Sequence, residues 1–345
     1  MTDRRLGVAI IGCGNMGRTH ARLLATFEDV SLRMLVDVNP EAAEALNAEV
    51  GPTLVSADYE RALQDDAVDV VFVCTHHHLH APMCIAAAQS GKDIFCEKPL
   101  AIRAEDCDAI EKAVRAAGVR FMTGFQARFS PFFLKLKEVA PRPWLTIGQY
   151  FDPRWGEQSW ANDPVSGGGN VLSQGCHCFD AVRFLNPSEV VSIYAAGGNY
   201  HHPTLHITDA VACTLRFADG AVANVAIGDV GKPALMGKAA YQVFAGETTA
   251  SLFNYHWSPE IRLWGAEPGR LTVHDVPGCD DTDFAHGYVQ QMRAVVDWSL
   301  NGTEPANAAK LDDGVRATTL ALRAVEAIRT GEVQKLNWGQ AQSGV

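Results

Sequence analysis

The sequence predicts an α/β chain in two parts: a doubly wound parallel sheet over residues 1–124, then, over residues 125–345, an α/β unit with a large, mostly antiparallel open sheet. Three observations predict it. Short β-branched runs alternate with helical segments up to Gly124, the pattern of βαβ units. Beyond Gly124, strand-like runs follow one another through short turns, as in antiparallel sheets. A length of 345 residues also favours two cores over one.

The elements follow in order. Leu6 to Ile11, Ser31 to Asp37, Val68 to Cys74, Asp93 to Cys96 and Val119 to Thr123 read as strands, apolar on both faces because helices cover a parallel sheet on both sides. Arg18 to Ala25, Glu41 to Glu49, Pro82 to Ser90 and Ala104 to Ala117 read as the intervening helices, two of them stopped by Gly91 and Gly118. In the second part Trp144 to Phe151 is a strand, and a loop rich in Trp, Asp and Gly leads to a helix from about His177 to Leu185. The runs Val190 to Ala195, Asp209 to Phe217, Ala221 to Ile227, Tyr241 to Ala245, Thr249 to Phe253 and Ile261 to Trp264 follow as strands, with Ala218-Asp219-Gly220 a hairpin signal. Helices near Phe284 to Leu300 and Asp312 to Thr330 pack at the end, and the tail after Trp338 reads as loose.

A hydrophobic fraction of 47% with 20% charged residues describes an ordinary globular protein. Lys and Arg number 29 against 40 Asp and Glu, a net charge of −11, which argues against nucleic acid or an anionic membrane surface as partner. Nine cysteines at irregular spacing, several inside apolar runs, read as reduced thiols and not as a disulfide framework. Met1 to Arg5 shows no leader-like apolar segment, and the apolar runs are only strand-length. The expectation is a soluble, cytoplasmic protein.

Gly12-Cys13-Gly14-Asn15-Met16-Gly17 is a G-x-G-x-x-G between a predicted strand and a predicted helix, the context that makes this hexamer a dinucleotide-binding fingerprint of a Rossmann domain. Gly12 allows the tight turn, Gly14 the close approach of a pyrophosphate, and Gly17 the packing of helix on sheet. The same residues could also form a tight βα turn without a ligand. Asp37 ends the second strand, where its carboxylate can accept ribose hydroxyls and would repel a 2′-phosphate; no arginine follows in Val38-Asn39-Pro40, so NAD is favoured over NADP. A turn or helix-cap role is its other reading. Glu97-Lys98-Pro99 follows a short parallel strand, at the edge where ligands bind. A lysine there can exchange a proton or hydrogen-bond an alcohol oxygen. Composition alone would read it as a surface ion pair.

Taken in order, Gly12 to Gly17, Asp37, the run Ala81 to Cys96 ending in Glu97-Lys98-Pro99, Gly124 to Phe129, and Gly167-Gly168-Gly169 with His177 and Asp180 resemble the glucose–fructose oxidoreductase / inositol dehydrogenase / MocA family. The resemblance runs to Asp313-Gly314 and implies a substrate held between the second sheet and the nicotinamide, dimers or tetramers, and oxidation of a sugar or polyol. Carried over by position, Lys98 contacts cofactor and reactive hydroxyl, while Glu97, His80 and Gln126 lie near the cofactor and Thr75, His76 and His77 line it. His177 would be the histidine after the glycine-rich loop, titrating near neutrality and able to take the hydroxyl proton.

One departure matters. The family commonly has an aspartate four residues before the histidine, where this chain has Ser173, which can hydrogen-bond a substrate oxygen but neither take a proton near neutrality nor balance a charge. Proton transfer then runs through Lys98 or His177, or catalysis has been lost. Two other functions therefore stay open: a dinucleotide- and sugar-binding regulatory protein without turnover, and an NAD-assisted glycoside hydrolase or lyase. Arg128, Trp155 and Trp160 suit the polar edges and apolar faces of a sugar or cyclitol ring, and equally suit interdomain packing. No metal is expected. Thr75-His76-His77-His78-Leu79-His80 holds four histidines, but neighbouring ones point apart and no second ligand pair has zinc spacing.

Overall fold

A computed structural model describes residues 4–229, 237–265 and 268–338. The tail read as loose beyond Trp338 lies outside the described residues.

The first part alternates as expected: β1 (Leu6–Ile11), α1 (Asn15–Ala25), β2 (Val30–Val36), α2 (Pro40–Val50), β3 (Leu54–Ser56), α3 (Glu60–Gln64), β4 (Val70–Val73), α4 (His80–Gln89), β5 (Asp93–Cys96), α5 (Ala104–Ala117) and β6 (Phe121–Thr123). The strands make a six-stranded sheet in the order β3-β2-β1-β4-β5-β6, every pair parallel. Strand order reverses between β1 and β4, which opens a crevice at the carboxyl ends of these strands. Both faces are covered: Ile10 and Phe72 pack into one apolar layer and Ile11 and Val71 into the other.

The second part comprises α6 (Pro131–Val139), β7 (Leu145–Asp152), α7 (Asn170–Ser173), α8 (Gly175–Leu185), β8 (Val190–Gly198), β9 (Ala210–Phe217), β10 (Val222–Asp229), β11 (Ala239–Ala245), β12 (Thr248–Phe253), β13 (Glu260–Trp264), β14 (Gly269–Thr272), α9 (Thr282–His286), α10 (Tyr288–Asn301), α11 (Leu311–Thr330) and β15 (Gln334–Lys335). Nine strands order as β14-β13-β12-β11-β7-β10-β9-β8-β15. All pairs are antiparallel except β7 with β10, which is parallel. Strict alternation in β9 buries Val211, Cys213, Leu215 and Phe217 on one face, where they join Phe179 and Val182 of α8 and Leu320 and Ala324 of α11 in one core. The other face leaves Ile147, Tyr194 and Trp264 exposed.

One expectation is corrected, and the fold adds elements that the sequence did not announce. The helix expected from Phe284 to Leu300 is two helices, broken at Gly287, whose φ of 89° ends α9 and opens α10; a side chain there would overlap the Gln126 carbonyl oxygen. From the second part α10 packs back on the first sheet, with Met292, Val295 and Val296 in the core of Leu6, Val8 and Ile10. The short elements β3, α3, α6, β14 and β15 were too brief or too weakly periodic to be expected. All nine cysteines are unpaired, and among the described residues no helix is long and apolar enough to cross a membrane.

Candidate active site

The β1–α1 turn explains its glycines. Gly12 sits at φ 97°, and a Cβ on it would come within 2.5 Å of the Cys74 carbonyl oxygen, while one on Gly17 would overlap the Gly12 carbonyl oxygen. Gly14 has the opposite surroundings: an added Cβ meets nothing within 4 Å. It begins α1 without a side-chain cap, and no acidic residue lies in the first turn, so the positive helix end and its N–H groups face open space. Asp37 is fixed at the end of β2 by accepting the Cys13 and Asn39 N–H groups at 2.7 and 2.8 Å.

A cleft of about 530 Å3 opens beside this turn. Of the residues expected at the site, Gly14, Asn15, Met16, Thr75, His76, His77, Glu97, Lys98, Trp155, Trp160 and Ser173 line it, together with Cys74, Gly156, Ser159, Ala161 and Gln174, which were not expected. A separate, more open depression of about 640 Å3 near Arg115, Trp298 and Asp312 holds none of the expected residues.

The strand ends position the charged pair. Glu97 is buried and turns inward, its Oε1 2.7 Å from Nε2 of His20, while Oε2 accepts the Lys98 N–H at 3.2 Å. Burial alone would raise the Glu97 pKa, but the bond and charge of His20 and the charge of Lys98 outweigh it and hold the carboxyl below its ordinary range. Lys98 carries its ammonium across to the second part, 3.4 Å from the Ser173 carbonyl oxygen. The Lys98–Pro99 peptide is cis, as the sequence allowed.

His177 follows Ser173 in the first turn of α8. Its ring lies parallel to Tyr150 at 5.5 Å and edge-on to Phe125 at 5.8 Å. Burial, reinforced by the positive charge of Lys98, pushes its pKa well below 6.5, so the imidazole is neutral but, against the expectation of titration near neutrality, a weaker proton acceptor than a free one.

The histidine run acts as a clasp between the two parts. His76 stacks on Trp160 at 4.1 Å, His77 donates from Nδ1 to the Gly167 carbonyl at 2.7 Å, and the His78 N–H donates to the Ser166 carbonyl at 3.3 Å. Among the described residues no group of His, Cys, Asp or Glu is arranged to hold a metal ion. The loop carrying Trp155 is itself anchored: its N–H donates to Asp229 at 2.8 Å, whose carboxylate accepts Nε2 of fully buried His202 at 2.7 Å.

Some expected residues stand elsewhere. Arg128 does not line the cleft. It is buried, donates to both carboxylate oxygens of Asp180 at 2.9 and 2.6 Å, and lies 2.9 Å from Asp313, because a buried guanidinium needs carboxylates on its fork. His80, fully buried, is also behind the lining: Nδ1 is 2.8 Å from the Pro99 carbonyl, so it braces the loop after Lys98. Gln126 is buried as well and outside the lining. Residues that sequence reasoning missed are His20, His202, Tyr150, His256 and the pair Lys238–Asp152, whose Nζ and Oδ1 are 2.6 Å apart. His20 had a signal, one polar ring on the buried face of α1 with Gly17, Ala21 and Leu24.

A family model described as "Oxidoreductase family, NAD-binding Rossmann fold" matches residues 6–125, and the GFO/IDH/MocA C-terminal domain model matches residues 144–243. The chain belongs to the GFO/IDH/MocA oxidoreductase family. Among the relatives of this family member, the myo-inositol 2-dehydrogenase of Thermotoga maritima is 30% identical over 222 residues, 62% of this chain and 66% of that protein. The levoglucosan dehydrogenase of Pseudarthrobacter phenanthrenivorans is 27% identical over 263 residues, 64% of this chain and 67% of that one. Of solved structures, the aldose-aldose oxidoreductase of Caulobacter crescentus, complexed with glycerol, shares the fold with a TM-score of 0.84, 24% identity and coverage of 96% and 100% of the two chains. A levoglucosan dehydrogenase with NADH and levoglucosan does so with a TM-score of 0.83, 21% identity and coverage of 96% and 99%. The open space over Gly14 at an uncapped helix start fits the family's nicotinamide dinucleotide.

Proposed function

We propose that this oxidoreductase is an NAD-dependent dehydrogenase for a secondary hydroxyl of a sugar, inositol or related polyol, with Lys98 and His177 handling the proton. The observation that carries the reading is one cleft faced by the Gly14 turn, Lys98 and Ser173, with His177 just behind that lining in the first turn of α8, stacked on Tyr150.

Gly14, Asn15 and Met16 would cradle the pyrophosphate and Asp37 the adenosine ribose, where a fixed carboxylate disfavours a 2′-phosphate and so favours NAD. The bound dinucleotide supplies a hydride acceptor. Lys98 donates a hydrogen bond to the reacting hydroxyl oxygen and steadies the negative charge that grows on it. His177 takes the hydroxyl proton, and in the reverse direction returns it to the carbonyl oxygen. Ser173 orients a substrate hydroxyl, and Trp155 and Trp160 offer aromatic faces to C–H faces of the ring. Unpaired cysteines suit a reducing, cytoplasmic compartment, and the exposed sheet face suits a homodimer or homotetramer.

Incubation with NAD and a panel of polyols and sugars tests the reading. It expects NADH to accumulate with one substrate class; bond cleavage without NADH would make the protein an NAD-assisted hydrolase or lyase, and dinucleotide uptake with neither would make it a binding protein.

A further inference from the structure

The loop over residues 199–209 stands outside the cleft, yet two of the cleft's walls lean on it. One buried carboxylate shapes this loop: Asp209, just before β9, accepts the N–H groups of Tyr200 at 2.9 Å, His201 at 2.6 Å and His202 at 3.2 Å. Asn199 ties it from the other side, donating to the His202 and Leu205 carbonyl oxygens at 2.5 and 2.6 Å. The loop therefore holds His202 with Nε2 2.7 Å from Oδ2 of Asp229, both residues fully buried. A carboxylate only accepts, so Nε2 carries the proton. Further along, Ile207 packs on Gly169, where a Cβ would come within 3.0 Å of it, and Gly169 opens α7, which ends in Ser173.

Asp229 passes this support to the other wall. Its two oxygens accept the Trp155 N–H at 2.8 and 2.9 Å. Asp152, beside it in the parallel register of β7 and β10, takes Lys238 at 2.6 Å, so His202 is the side-chain donor on which Asp229 depends. Residues 153–158 are exposed apart from half-buried Trp155. Among the described residues, their other polar tie outside their own loop runs from Arg154 to the His201 carbonyl oxygen at 3.0 Å, again on the 199–209 loop.

A buried carboxylate deprived of one donor is costly and turns to whatever donor it can reach, and a binding group displaced by about 1 Å can cost about a hundredfold. We propose that His202 is a positioning residue of the substrate site: through Asp229 it holds the Trp155 ring at the cleft wall, and so governs capture of the sugar or polyol without entering the transfer of proton or hydride. This role rests on the dehydrogenase reading of the cleft, while the anchoring itself is measurable without a substrate.

Hydrogen exchange followed by mass spectrometry on the full chain, without ligand, is the first test. His202→Leu is expected to speed exchange in peptides covering Trp155 by about tenfold or more, with α8 and the first sheet within about threefold of wild type. His202→Gln, whose amide can donate where Nε2 did, is expected to stay within about threefold throughout. Steady-state kinetics with the fastest substrate among myo-inositol, glucitol, glucose and xylose is the second. There His202→Leu should raise KM by about tenfold or more and leave kcat and NAD affinity within about threefold, and His202→Gln should restore KM. Added to Trp155→Ala, His202→Leu should raise KM by no more than about twofold further, because both act through one ring. Should His202→Leu not fold, His202→Asn, whose amide falls short of Asp229, carries the same expectations. Unchanged exchange at Trp155, exchange accelerated equally in α8, a fall in kcat at constant KM, full additivity with Trp155→Ala, or failure of both variants to fold would overturn the proposal. A wild-type protein that forms no NADH with any of the four fails the dehydrogenase reading instead, and exchange at Trp155 then still decides whether His202 anchors the loop.

Discussion

Replacing His20 with phenylalanine tests what holds Glu97 beside the cleft. The His20 ring is fully buried and sits edge-on to Phe95 at 5.0 Å, packing that a Phe ring retains, while the donor 2.7 Å from Glu97 disappears. A hydrogen bond to a charged group is worth about 1.5–3 kcal/mol, and breaking a full buried ion pair costs about 3–5 kcal/mol. Glu97 keeps the Lys98 N–H at 3.2 Å, so the lower range applies, about 1.5–3 kcal/mol. At about 2–4 °C per kcal/mol the variant should melt roughly 3–12 °C lower near neutrality. The larger ring adds some overpacking, which a double-mutant cycle with Glu97→Gln cancels; the coupling expected from melting curves of the four proteins is about 2 kcal/mol. Sign also matters. Without His20 only Lys98 is left to oppose the burial of Glu97, so the carboxyl takes up a proton more readily and the deficit of His20→Phe should shrink as pH falls. Coupling below about 0.5 kcal/mol, or a deficit that grows in acid, would refute the assignment.

Two further outcomes are expected. Gly17→Ala places a methyl on the Gly12 carbonyl oxygen and should weaken NAD binding by about tenfold or more in calorimetry through distortion of the turn; unchanged affinity would contradict it. His77, His177 and His256 are all pushed well below 6.5, first by burial. Their unfolded forms therefore bind protons below about pH 6.5 while the folded protein does not, and stability, fully present above that pH, should fall on acidification by up to about 1.4 kcal/mol per pH unit for each ring. A melting temperature flat or rising from pH 7 to about pH 5 would contradict that.

The first sheet was legible because each strand is apolar on both faces and each helix is punctuated by glycine, and the motif at Gly12 to Gly17 sits where chain direction and helix dipole require it. The local settings of two candidate residues were legible for the same reason: Lys98 follows a strand end and His177 lies at a helix start. What stayed hidden depends on pairs far apart in sequence. His20 meets Glu97 across 77 positions, and His202 meets Asp229 across 27; neither carries a local pattern. Arg128 looked like a ligand residue because it is charged and close to the motif, and only the fold shows Asp180 and Asp313 already occupying its fork. The return of α10 to the first sheet was hidden too, since amphipathic spacing says that a helix is half buried but not against what.

Turnover of Lys98→Ala beside the wild type, with NAD uptake measured on both, tests most directly that this cleft joins a dinucleotide to a proton-handling lysine. NAD should bind to both proteins, while NADH formation in the variant falls by about a hundredfold or more. Rates within a few fold of wild type, or a wild-type protein that takes up no NAD, would contradict it.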